Sequence, residues 1–156
     1  MVKVIEEIEW NTLIFFAGLF VLIGGLETTG VIDIISKTIF EYFGSNTTIA
    51  LTAVLWLSAF STAFVDNIPF TAAFIPVLQN IPTNSGLNMN ALIYALSIGA
   101  GLGGNGTTIG SSANIVATGI AAARGHPITF KKYVPIGLSI MVVTVLLANL
   151  YLIIMW

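Results

Sequence analysis

Apolar residues run along this chain in long blocks, and the places where the blocks break decide how it is read. Val2 to Glu9 alternates apolar and charged residues, which predicts an interfacial lead-in with Trp10 at headgroup level. Asn11 to Leu26 is expected to form the first membrane span, with Glu27 near its far end. Lead-in and first span together occupy 1–29. Residues 31–43 change character: Asp33, Lys37 and Glu41 fall four apart on one helical face, while Ile34, Ile35, Ile39, Phe40 and Phe43 lie largely elsewhere. That spacing supports a helix lying on the membrane surface.

After Gly44-Ser45-Asn46, the stretch from Thr47 to Val65 is apolar but dotted with Ser58, Ser61 and Thr62, small hydroxyl residues suited to close helix packing. Asp66, Asn67 and Pro69 interrupt it, and Phe70 to Leu78 is then too short to span a membrane. Gln79 to Gly86 has the composition of a loop. Residues 47–80 therefore predict a re-entrant hairpin that turns at Asp66-Asn67; the alternative is one continuous helix through Pro69. Ala91 to Ala100 and Ile109 to Ala123 are also short, and Gly103 to Thr108 separates them, so 90–123 predicts one span broken in the middle. An amphipathic connector at 126–133 and a last span at 134–156 complete an all-α, polytopic reading with a single membrane domain.

Composition strengthens this picture. The chain is 56% hydrophobic and only 8% charged, with a mean hydropathy of +0.98, against about 25% charged residues in soluble domains. Membrane lipid is thus an expected partner, and a net charge of −2 gives no reason to expect nucleic acid. With no cysteine, disulfides and thiolate metal sites are excluded. Met1 to Glu9 lacks a basic n-region, so no cleavable signal peptide is expected. Arg124, Lys131 and Lys132 cluster in one short loop. The positive-inside rule then places 124–132 in the cytoplasm and 79–90 and the C-terminus outside, with Lys37 in weak dissent.

The candidate chemistry sits at the two breaks. An ionised Asp at mid-membrane costs about 2.5–3.5 kcal/mol on insertion scales, so Asp66 needs a bound cation, a proton, a hydrogen-bonding partner or water. Asp66 reads either as a cation ligand or titrating coupling group, or as the N-cap of the helix that follows; the two are compatible. Pro69 and Gly103 mark the helix breaks. Backbone released there is tolerated only inside protein or beside water. Gly104 and Gly106 permit unwound geometry, and Asn105, Thr107, Thr108, Ser111, Ser112 and Asn114 supply neutral donors and acceptors. Freed carbonyls suit a cation and the N-termini of half-helices suit an anion, so the breaks do not choose between them.

Other motifs carry less. Gly99 to Gly104 matches GxGxxG literally, but the acidic residue about 20 positions on is missing. His126, the one histidine, stands at a span end before Pro127 and reads as interfacial. No histidine lies within a span for serine catalysis, and Asp66 has no buried acid as partner for a dyad, so an enzyme is not expected.

Glu9 to Phe20, Ser58 to Ala72, Gly103 to Asn114 and Gly125 to Phe130 together resemble, in order and over essentially the whole chain, the second repeat of ArsB/NhaD-type permeases. These belong to the ion transporter superfamily, with its citrate-transporter-like domain. The resemblance implies an inverted-repeat transporter in which Asp66, Asn67 and Thr71 at the hairpin tip face Asn105, Thr107, Thr108, Ser111, Ser112 and Asn114. It also implies elevator-like alternating access. Sodium or a proton is the implied coupling ion, with Asp66, Asn67 and Asn105 as candidate sodium ligands and no other cofactor. The divalent-anion symporters of the superfamily carry Ser-Asn-Thr at the hairpin tip. Asp66-Asn67-Ile68 departs from this and favours arsenite or antimonite efflux or sodium/proton antiport over citrate or dicarboxylate symport. Only one repeat is matched, so a complementary N-terminal half or a homo-oligomer is the expected partner. A non-transporting subunit or channel-like assembly is the alternative class.

Overall fold

The computed structural model describes residues 10–43, 46–82 and 85–156, and every described element is helical. The lead-in at 1–9, Gly44-Ser45 and Thr83-Asn84 lie outside the described residues. Helix α1 (Trp10–Thr28) ends where Thr28 and Thr29 turn their hydroxyls onto the Gly25 carbonyl and Gly30 adopts φ +77°, a conformation open to glycine. The chain bends by 72° there and continues as α2 (Val31–Phe43). Asp33, Lys37 and Glu41 of α2 are exposed, as the spacing predicts. Ile32 and Ser36, which flank that charged face, are buried, and the Ser36 hydroxyl lies 2.8 Å from the Ile32 carbonyl and 2.7 Å from that of Val77. This fastens α2 to the end of α4.

Helix α3 (Thr47–Thr62) starts at Asn46, whose side chain accepts the Ile49 N–H at 3.2 Å. The chain turns over residues 63–66 and returns as α4 (Asn67–Gln79). The Asn88 N–H then donates to Thr47 Oγ1 at 3.2 Å, so the chain comes back to the level at which α3 began. With 16 and 13 residues, α3 and α4 extend only about 24 and 20 Å, short of a ~30 Å hydrocarbon core.

Helix α5 (Met89–Gly103) runs parallel to α3 and packs along it. Small residues make the approach possible. A Cβ at Gly99 would collide with the Leu55 carbonyl, and one at Gly103 with the Ala59 carbonyl and the Thr62 hydroxyl. Leu51, Leu55, Leu92, Leu96, Met141 and Val145 fill the core between α3, α5 and the last helix. A 3-10 turn (Gly104–Gly106) and a further turn over 107–111 separate α5 from α6 (Ser112–Ala123), none of whose residues is buried.

Helix α7 (Phe130–Met155) is the one described helix that alone is long and apolar enough to cross a membrane; α1 and α2 pass as a bent pair. It corrects the boundary between connector and last span. Thr129 is the N-cap and Phe130–Tyr133 already belong to the helix, so the connector shortens to 124–129. Pro135, the sixth residue of the helix, has no N–H to give the Lys131 carbonyl, so α7 carries it inside the helix without that one backbone hydrogen bond. Thr52 Oγ1 and Asn149 Oδ1, 3.0 Å apart, join α3 to α7.

The α3–α5 contact should not accept a methyl group. Gly103→Ala is expected to cost about 1–3 kcal/mol through overpacking. Gly101→Ala, which meets nothing within 4 Å, should not destabilise. Thermal unfolding of the two variants in detergent checks this, and equal stability would contradict the described packing.

Candidate functional site

Two interruptions meet in this fold: the turn at 63–66 and the break at 104–111. Parallel packing of α3 and α5 brings their ends to the same level, because Gly103 abuts Ala59 and Thr62. Gly110 comes equally close to the Thr62 and Ala63 carbonyls. Gly137 of α7 closes the other side, where its Cα faces the carbonyls of Asn105 and Gly106.

Asp66 joins the two interruptions. Its Oδ1 accepts the Ile68 N–H at 3.1 Å and caps α4. Its Oδ2 accepts the Ser112 N–H at 3.2 Å, the first residue of α6. One carboxylate therefore sits at the N-termini of two helices, where partial positive charge favours an anion. The N-cap reading of Asp66 is what the geometry shows, with a second helix added to it. Pro69 is not the point of breakage. It lies in the first turn of α4, where its lack of an N–H removes a donor that would otherwise need a partner. Gly103 is the last residue of α5, and the break follows it.

Polar side chains of the break are engaged with backbone. The Thr107 hydroxyl donates to the Ala63 carbonyl and accepts from Ile109 N–H (3.3 Å) and Gly110 N–H (3.2 Å). Asn114 donates both amide hydrogens, to the carbonyls of Gly104 (2.8 Å) and Thr107 (3.0 Å). Ser111 caps α6 by accepting the Ala113 N–H at 3.3 Å. Among the described residues no buried side-chain nitrogen or oxygen lacks a partner.

The remaining residues separate into two spaces. Asn67 and Thr71 line a groove of about 400 Å³ between α4 and α5, together with Ser97 and Gly101. Ser97 and Gly101, four apart on α5, were not among the residues singled out from sequence; their helical spacing is the signal that could have found them. Asn105 lines a different cavity, of about 850 Å³, with His126, Lys132, Tyr133, Ile136 and Ile140. Asn67 and Asn105, expected as co-ligands of sodium, thus face separate spaces. Gly104 and Gly106 are buried in the break, and Thr108 is half-buried beside it.

Thr107 carries the junction through its hydroxyl. Thr107→Val keeps its shape and leaves the Ala63 carbonyl and two N–H groups without that partner, at an expected cost of about 1–3 kcal/mol. Thr107→Ser should recover most of the loss. Chemical denaturation in detergent would show it, and a Val variant as stable as the Ser variant would remove the assigned role.

Comparison with known proteins identifies the surroundings of this junction. A family model described as a citrate transporter matches residues 1–99. The P proteins of Sus scrofa and Homo sapiens are 38% and 39% identical over 97% of the chain, and the match covers 19% of their length. An uncharacterized transporter of Synechocystis is 34% identical over 96% of the chain and 37% of its own length. The chain thus spans from about a fifth to somewhat over a third of the length of the curated relatives it matches. No solved structure matches it. The matched model covers more than half of the chain, including α1 to α4 and most of α5, and the relatives extend the likeness through the break and α7: this chain belongs to the CitMHS citrate transporter family of membrane transporters.

Proposed function

We propose that this chain supplies one repeat of a secondary transport site that moves an inorganic ion or small anion, with Asp66 as the coupling group. The observation that carries the reading is the carboxylate shared between Ile68 and Ser112. As it stands, Asp66 fills the place that an anion would take at two helix N-termini. A sodium ion or proton that neutralises Asp66 weakens its hold on both. The N-termini of α4 and α6 then become available to a substrate anion, or the junction opens for the cation alone. Either sequence couples cation binding to a change in the relation of hairpin and break, as elevator-like alternating access requires.

The first sequence favours a citrate or dicarboxylate symporter, which the description of the matching family supports. The second favours sodium/proton antiport. Arsenite efflux fits the Asp66-Asn67-Ile68 tip by resemblance. Because the site has one hairpin and one break, its complement comes from a second repeat, either an N-terminal half or another copy. The basic cluster at Arg124, Lys131 and Lys132 supports a cytoplasmic 124–132, with 79–90 and the C-terminus outside.

Asp66→Asn removes the charge and keeps one acceptor oxygen to cap α4, since Asn caps a helix about as well as Asp; its amide nitrogen cannot accept the Ser112 N–H, so the contact with α6 is lost with the charge. The variant is expected to keep its helix content and to lose gradient-driven uptake of labelled citrate, arsenite or sodium in proteoliposomes. Coupled uptake at the parent rate would leave Asp66 as a cap only. A second measurement addresses completeness: the chain alone should give no coupled flux, and co-reconstitution with an N-terminal half should restore it. Strong coupled transport by a monomer of this chain would overturn the half-site reading.

A further inference from the structure

The cavity beside α7 changes character along its length. Lys132, His126 and Tyr133 stand at the start of α7 and in the connector before it, while Ile136 and Ile140 line its continuation. Lys132 and Ile140 are eight residues apart, about 12 Å along the helix. The cationic end coincides with the start of the one described helix that can cross a membrane unaided, and the apolar end points along that helix. A soluble ion has no use for the isoleucine wall, and a hydrocarbon has none for the lysine. A molecule with an anionic head and an apolar tail satisfies both.

We propose that this cavity binds one anionic phospholipid. Lys132 and His126 hold the phosphate, Tyr133 presents its hydroxyl near the head-to-tail junction, and the first methylenes of an acyl chain lie on Ile136 and Ile140. Its volume of about 850 Å³ accommodates a headgroup with part of a chain. Asn105 of the helix break lines the same cavity, and its carbonyl faces Gly137 of α7. A bound lipid therefore touches the break at Asn105, which does not line the Asn67–Thr71 groove. This site is separate from the transport reading and needs only that the chain sits in a membrane.

Native mass spectrometry of the full chain in detergent, titrated with dioleoyl-phosphatidylglycerol or dioleoyl-phosphatidylcholine, tests it. One phosphatidylglycerol is expected to bind in preference to phosphatidylcholine. Lys132→Gln should weaken that binding about fivefold, the effect of one basic residue near a charged headgroup. Lys132→Arg should retain it. Lys131→Gln, next in sequence but outside the lining, should change it little, and Ile140→Asn should weaken it with helix content unchanged. Equal affinity for the two lipids, or equal losses from Lys131→Gln and Lys132→Gln, would overturn the proposal. So would displacement of the lipid by an equal concentration of soluble glycerophosphoglycerol, which would mark the cavity as a site for a free anion.

Discussion

Backbone that leaves its helix within an apolar environment has no water to turn to, and each freed N–H or C=O must find a partner in protein. Two of the openings in this chain, the turn at 63–66 and the break at 104–111, supply each other. The hairpin turn offers the Ala63 carbonyl to Thr107, and the break offers the Ser112 N–H to Asp66. The rest of the fold serves to hold them at one level: α3 and α5 run parallel, α7 closes over the 3-10 turn through Gly137, and Met141 packs against the same core.

Much of this was visible in the residues. Asp66 stood out because an acid flanked by apolar residues needs an explanation, and the short blocks on either side could not be full spans. The glycine-asparagine run marked the second opening for the same reason. What could not be seen was which polar groups answer to which. Asp66 and Ser112 are separated by 46 positions, and their meeting depends on the close approach of Gly99 and Gly103 to α3. Thr107 and Asn114 were legible as polar and were expected to face a solute. They hydrogen-bond to backbone carbonyls and N–H groups that the turn and the break release. Pro69 reads in sequence as the point of breakage, but it stands in the first turn of α4, where proline costs little.

The division of space around the junction follows from this use of polar side chains. With Thr107 and Asn114 committed inward, Asn67 and Thr71 are left to the groove on one side and Asn105 to the cavity on the other. Helix α6, with no buried residue, is set in direction by the hydrogen bonds at its N-terminal turn rather than by packing. Its apolar residues Ile115, Val116 and Ile120 are exposed.

The contact between α3 and α5 has a genetic consequence. At Gly99 and Gly103 the opposing surface is made largely of main-chain carbonyls of Leu55 and Ala59. A bulky substitution in an ordinary core is often rescued by trimming the side chain across from it. Here most of what lies across is peptide backbone, which no codon change can trim. Suppressors of a Gly99 or Gly103 lesion must therefore act by shifting a whole helix. Selections for compensating substitutions at facing positions would return chiefly reversion to glycine.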